Sequence, residues 1–343
     1  MTTPAAGAPR YWLALHPDLR KPIGGAKQMH RLAEALTACG RMATLIQDRA
    51  DFHPGWFHSQ VQTVARADWL QRSDLSPQRD LVVLPETFLP ALPRYAPGLP
   101  KLVFNQNGAY SFGFMSGDGF PADPAEVLDL YRHPDLLHVL CISQHDQQLL
   151  QEGFGLGPDR VSRLVNAIET DCFCPAGAKR PLLTYMPRKN GRDAAIVAAL
   201  LQRQPWFAGW QVLPIHGLPQ RKVARLLQQS MGFLAFGHPE GFGLPLAEAA
   251  ACGCALIGYS GLGGRELLRR AAAHGVGWEV GFGDWQGFLS GVQGLQRRFK
   301  ADSGALAQAL QQLSAEVRAA YHADAMLKTV ARALPLWESK LRT

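Results

Sequence analysis

The chain has 343 residues, enough for two domains of ordinary size, each with its own core. Hydrophobic residues make up 47% and charged residues 18%, which excludes a disordered chain, and no apolar run reaches the ~18 residues that would read as a membrane span. The net charge of +7 is scattered in doublets such as Arg188–Lys189, Arg269–Arg270 and Arg297–Arg298, without the interleaved aromatics of a nucleic-acid binder; it suits an anionic nucleotide, an anionic membrane surface, or solubility alone.

The opening MTTPAAGAPR has no charged segment leading into a long apolar one, so a loose tail is expected and not a secretory signal. Residues 11–15 read as a first strand. The loop that follows carries Gly24 and Gly25 and leads into a helix over about 26–39. A strand, a Gly-Gly turn and a helix start make a cradle for a phosphate or a sugar, because bare N–H groups and the positive end of the helix dipole meet there. Further short apolar runs fall at 43–47, 81–84, 102–104, 138–142 and 161–165, with helical stretches at 124–132 and 144–152 between them. Apolar strands alternating with helices predict an α/β fold with a parallel sheet covered on both faces. Ligands gather at the carboxyl ends of such strands. Glu86, Asn105 to Asn107, Ser143 and Asn166 all follow strands and are the first-domain candidates. The segment 175–181, PAGAKRP, reads as an inter-domain linker.

The second half repeats the alternation. A strand at 182–186 ends in Arg188 and Lys189, two cations at the mouth of a sheet, where they could hold a diphosphate. A helix is expected at 193–203, a strand at 211–215 ending in His216 and Gly217, and a helix at 222–230. His216 is a candidate base or ribose contact. Then comes MGFLAFGHPEGFGLPLAEAAACGCALIGY, residues 231–259: a buried strand, a Gly-rich loop, a helix with Pro245 in its first turn, a stop at Gly253 and a second strand. Two carboxylates bracket the loop. Glu248, a turn into the helix, leans back toward the helix N-terminus and suits a ribose; Glu240, nearer the loop tip, suits a sugar beyond the phosphates. Gly263, Gly264 and Glu266 open another helix, and 302–321 and 323–339 form amphipathic helices.

EGFGLPLAE, from Glu240 to Glu248, resembles the E-x7-E signature of retaining GT-B glycosyltransferases, most like family 4, and ACGCALIGYSGLGGRELL resembles its continuation, with Ala255 in place of the usual proline. PIGG at 22–25 is similar to that family's P-x-G-G loop, and NAIETDCFCP at 166–175 to the run that closes its first domain, with Ala167 where glycine is usual. The resemblance implies two Rossmann-like domains facing each other across a cleft. An acceptor-side domain at 1–175 would be followed by a donor domain at 176–322, with a final helix from about 323 to 343 crossing back to the first domain and Trp337 as its anchor. It further implies transfer of a sugar from a nucleotide-diphosphate-sugar to a glycan, lipid-linked or small-molecule acceptor, without metal or other cofactor. Arg188 and Lys189 would hold the diphosphate, helped by backbone N–H groups around Gly241, Phe242, Gly243 and Leu244. Glu240 would engage the donor sugar and Glu248 the ribose, with Gly24, Gly25 and Ser143 on the first-domain side. Gln106 stands where many family members carry a histidine that contacts the donor sugar.

Two rival readings stay open at this point: a GT-B epimerase or inverting transferase, and a non-catalytic binder of sugar nucleotide or glycan. A dehydrogenase is remote, since Gly261 to Gly264 lacks the dinucleotide-binding spacing. None of the eleven histidines lies in a zinc-protease pattern, and His16 and His138 read as structural. The six cysteines include two C-x-C pairs without zinc spacing and read as buried thiols; with no secretory signal they imply a cytoplasmic protein, with peripheral contact to a membrane as one use of its basic surface.

Overall fold

The apolar runs of the sequence become parallel strands buried on both faces, and their order decides where a ligand can be held. The computed structural model describes residues 8–113 and 123–342. Most of the expected N-terminal tail lies outside the described residues.

The first half builds β1 (Arg10–Ala14), α1 (Gly24–Ala38), β2 (Met42–Gln47), β3 (Gln62–Ala65), α2 (Arg66–Leu70), β4 (Asp80–Pro85), β5 (Lys101–Asn105), α3 (Pro124–Leu130), β6 (Leu136–Cys141), α4 (Gln144–Gln148) and β7 (Val161–Arg163). The strands form one seven-stranded parallel sheet in the order β3-β2-β1-β4-β5-β6-β7. All of β1 and all but the last residue of β4 are buried, as central strands of a doubly covered sheet must be. The sheet changes winding direction between β1 and β4, which opens a crevice at their carboxyl ends.

The second half builds β8 (Arg180–Tyr185), α5 (Gly191–Gln202), β9 (Gln211–Pro214), α6 (Gln220–Gln229), β10 (Ser230–Ala235), α7 (Leu244–Ala251), β11 (Ala255–Gly258), α8 (Arg265–Ala273), β12 (Gly277–Glu279), α9 (Trp285–Ala301) and α10 (Ser303–Ala320). Its five parallel strands run β12-β11-β10-β8-β9, so the winding reverses between β10 and β8.

The last long helix, α11 (Ala323–Glu338), belongs to the first sheet. Trp337 is fully buried, packs at a tilt against the His138 ring and donates from Nε1 to the Tyr11 hydroxyl at 2.8 Å. That hydroxyl donates to Glu338 at 2.6 Å, and Arg41 grips the same carboxylate through two nitrogens, each at 2.8 Å. A fork of this kind is among the stronger polar contacts in proteins. His138 donates to or accepts from Ser162 at 2.8 Å, and burial holds it down at about 4, a structural histidine.

The chain divides into two units, Met1–Ala167 with Asp324–Thr343, and Ile168–Ala323. The division falls eight residues before the boundary read from the sequence at 175. The backbone shows why: the Ala167 carbonyl accepts from Gln28 in the first unit, whereas the Ile168 N–H donates to Tyr321 in the second. Phe173 is buried there, and Gln228 donates to the Cys172 and Cys174 carbonyls. The expected linker 175–181 already contains the start of β8.

Some elements escape a periodicity reading. β3 is a polar edge strand, and β12 has only three residues. The helix α9 carries Gly287, Gly291 and Gly294, which argue against a helix by propensity. Packing overrides them: a Cβ on Gly291 would sit 2.7 Å from Ile257, and one on Gly294 2.8 Å from the Trp278 ring.

Candidate functional site

In the second unit two of the predicted residues, Lys189 and Glu240, come together at the switch point. β8 runs into Pro187 and then Arg188, Lys189 and Asn190; β10 runs into Gly237, His238, Pro239 and Glu240. These two strands are neighbours, so their exit loops meet. Lys189 Nζ lies 3.0 Å from Glu240 Oε1 and donates to the Pro239 carbonyl at 2.7 Å. Arg188 is exposed in the turn beside it.

Asn190, which the sequence reading left without a role, clamps the two loops. Its Nδ2 donates to the carbonyls of Phe236 and His238 at 2.7 and 3.1 Å, and its backbone is left-handed at φ 51°. Asparagine tolerates that conformation better than other side-chain-bearing residues, so an Asn just before Gly191 at a helix start was the signal to read.

The Glu240 loop is pinned from the other side. Its N–H donates to Gly261 at 2.7 Å, and Gly263 donates back to its carbonyl at 2.9 Å. Gly243 caps α7 with φ 82°, a conformation that requires glycine, and no side chain caps the helix. The amide of Leu244, the first helical residue, lies outside the intrahelical ladder, so the start of α7 offers a bare donor and a positive dipole end. Pro245 has no N–H to lose. The Phe242 ring is buried against Tyr321 at 5.0 Å, so this residue serves the loop through its backbone alone. Gly241 is buried, and Glu248 is half-buried one turn into α7. His216, beyond the edge strand β9, is exposed. Beyond the predicted set, Phe282 is 62% exposed and stacks on His238 at 4.5 Å.

In the first unit Gly24 and Gly25 are the first two residues of α1; the expected loop glycines are helical. The Gly25 carbonyl accepts from Gln106 Nε2 at 3.2 Å, and a Cβ on Gly25 would lie 3.3 Å from Gln106 Oε1. Thus the end of β5 and the start of α1 meet. Ser143 is buried, and its hydroxyl accepts from the Asp146 N–H at 3.1 Å as the cap of α4. Asn166 is buried as well, and Asn107 Oδ1 accepts from Ala109 N–H. Glu86 is 3% exposed at the exit of β4, where burial raises its carboxyl to about 8.

Among the described residues no group of three or more His, Cys, Asp and Glu is placed to hold a metal ion, and no helix is long and apolar enough to cross a membrane.

No family model matches the chain. Over 190 residues it is 26% identical to an α-1,6-glucosyltransferase of Actinobacillus pleuropneumoniae serotype 7 (strain AP76), covering 53% of each, so the chain spans about half the length of this curated relative. Solved structures match over almost the whole length. Sucrose-phosphate synthase of Thermosynechococcus elongatus aligns with a TM-score of 0.69 at 15% identity, over 97% of this chain and 100% of that one. HepE of Anabaena, in complex with UDP, aligns at 0.68 and 14%, over 95% and 99%. The catalytic domain of starch synthase IV from Arabidopsis thaliana, bound to ADP and acarbose, aligns at 0.61 and 14%, over 98% and 100%. Two parallel-sheet α/β units, each wound from a switch point, give this chain the fold of the GT-B glycosyltransferases.

Proposed function

We propose that the chain is a retaining glycosyltransferase of the family 4 type, moving a sugar from a nucleotide-diphosphate-sugar to a hydroxyl-bearing glycan, lipid-linked or small-molecule acceptor. The observation that carries this reading is the second unit's switch point. Two cations, a carboxylate and a helix N-terminus converge there from adjacent strand ends. A diphosphate needs cations and bare amides; a ribose and a sugar need acceptors for their hydroxyls. The bound UDP of HepE and the activity named for the glucosyltransferase relative point the same way.

In this reading Arg188 and Lys189 bind the diphosphate with the amides near Gly243 and Leu244. Glu248 accepts from the ribose and Glu240 from the donor sugar. Gly24, Gly25 and Gln106 of the first unit serve the acceptor side. Lys189 is paired with Glu240. Each is therefore held at a fixed place, and the lysine is available to the phosphate as charge grows on it. As the bond from the anomeric carbon to the phosphate oxygen breaks, fixed cations stabilise the leaving diphosphate, and we read the step as metal-independent for that reason. The departing phosphate oxygen then takes the acceptor's proton while the acceptor oxygen attacks the same face. A stable glycosyl adduct on an Asp or Glu would contradict this front-face course.

A thermal-shift screen against UDP, GDP, ADP, CMP and dTDP, repeated on Glu248→Ala, tests the site. A ligand at a hundred times its Kd adds about 2.7 kcal/mol of stability. A shift with one nucleotide, lost in the variant, fixes the donor; none with any of them sinks the reading. Transfer undiminished by a chelator supports metal independence. The six cysteines form no disulfide, which suits a reducing, cytoplasmic compartment. Peripheral contact with an anionic membrane is part of the reading through the +7 charge, and the absence of salt-sensitive binding to anionic vesicles would remove it.

A further inference from the structure

Two buried acids in the first unit are not explained by packing. Glu86 Oε2 accepts from the Gln106 N–H at 3.0 Å, and its carboxyl also takes the N–H groups of Asn107 and of Glu86 itself. Asp146, in the first turn of α4 and 2% exposed, takes the N–H of Gly108. Its Oδ2 is buried without a hydrogen-bond partner among the described residues. The consecutive amides of 106, 107 and 108 are thus turned onto carboxyl groups that arrive from two different elements. The Tyr131 hydroxyl is tied to Ser111 and Asn105 and feels the charge of both acids.

Carbonyl oxygens would satisfy the same amides at a far smaller cost than two carboxyls taken out of water close to each other. Burial holds Glu86 up at about 8 and Asp146 at about 7, a measure of that cost. What the acids fix is the segment carrying Gln106, whose amide reaches Gly25 at the start of α1. Glu86 stands at the exit of β4, beside β1, so it sits under the crevice of the first unit's switch point.

We infer that Glu86 and Asp146 are positioning residues: they lock the backbone of Gln106 to Gly108 so that the Gln106 amide is held against Gly25 at the start of α1 and presented to a sugar hydroxyl. The inference rests on the glycosyl-transfer reading for its catalytic consequence, but not for its geometry. Neither acid touches the reacting atoms; both act through Gln106.

The test uses the full chain and the variants Glu86→Ala, Glu86→Gln, Gln106→Ala and Glu86→Ala with Gln106→Ala. Nucleotide affinity is measured by calorimetry, transfer by steady-state kinetics, and the Gln106 side-chain amide by nitrogen-resolved NMR. Glu86→Ala should lower kcat about 10- to 100-fold, the scale of a misplaced positioning group, with nucleotide Kd within about twofold. Glu86→Gln keeps an acceptor oxygen for the Gln106 N–H and should stay within about threefold of wild type. In the Gln106→Ala background the Glu86 change should add less than about twofold, since the two act as one unit. Independent, multiplying effects, or a Glu86→Ala enzyme with wild-type kcat, would overturn the inference. If Glu86→Ala does not fold, Asp146→Ala replaces it in the same cycle. Should the wild type bind nucleotide but transfer nothing, the enzymatic reading fails by itself. The NMR arm then decides: a Gln106 amide signal unmoved by either acid's removal overturns the positioning role, and a displaced one upholds it.

Discussion

The two switch points of this molecule use one topological device for opposite chemistry. In the second unit the crevice between β8 and β10 is lined by half-buried, paired ions, Lys189 with Glu240, and by the uncapped start of α7. In the first unit the crevice between β1 and β4 has acids buried beneath it and a neutral amide, Gln106, at its edge. Both α1 and α7 start without a side-chain cap; the second unit adds cations there, which favour an anion, whereas the first adds the neutral Gln106 amide, which suits hydroxyl groups. The fold places both; the side chains at the strand exits decide which partner each unit can hold.

This contrast can be broken first by pH. The folded carboxyls of Glu86 and Asp146 keep their protons to about 8 and about 7, whereas an unfolded chain gives them up near 4. The folded state therefore binds more protons between those limits, and stability falls as pH rises through the window, by on the order of several kcal/mol for the pair. Denaturant unfolding at pH 5 and pH 8.5 should show the loss, and Glu86→Gln should make it shallower. A flat profile would mean the acids are not buried as described.

The next effect belongs to the second unit. Lys189→Ala should lower kcat about 10²- to 10³-fold, the scale of removing one fixed donor from a developing charge. Because Glu240 also serves the donor sugar, a Lys189→Ala with Glu240→Gln protein should lose more than the single variant but less than the product of the two single losses. A smaller loss comes from Glu248→Ala. It should weaken nucleotide binding by roughly 1.5–3 kcal/mol, the worth of hydrogen bonds to a charged group. Asn190→Ala should cost about 1–2 kcal/mol of unfolding free energy, since it strips partners from the Phe236 and His238 carbonyls and leaves a left-handed backbone. Asn190→Gly relieves the backbone and should cost less; an equal loss in both would assign the whole effect to the hydrogen bonds.

Sequence by itself determined the elements whose causes are local. Buried parallel strands announce themselves as apolar runs, so β1, β2, β4, β5, β6, β8, β10 and β11 were placed within a few residues of their observed ends. Pro245 and Gly253 mark the two ends of α7, since proline is best tolerated in a helix's first turn and Gly253 takes the left-handed backbone that follows a helix end. The spacing of Glu240 and Glu248 was legible for the same reason. Only the tertiary structure decided what depends on contacts between distant segments. It moved the division of the chain to Ala167, where backbone partners change unit, and made a helix of the glycine-rich α9, where neighbouring side chains leave no room for a Cβ. It turned Ser143 into a helix cap, joined Lys189 to Glu240 across two strand exits, and gave Asn190 its clamp. A carboxylate such as Glu86 has no local signature that separates an exposed charge from a buried one. Strand order alone puts it beneath the loop it holds.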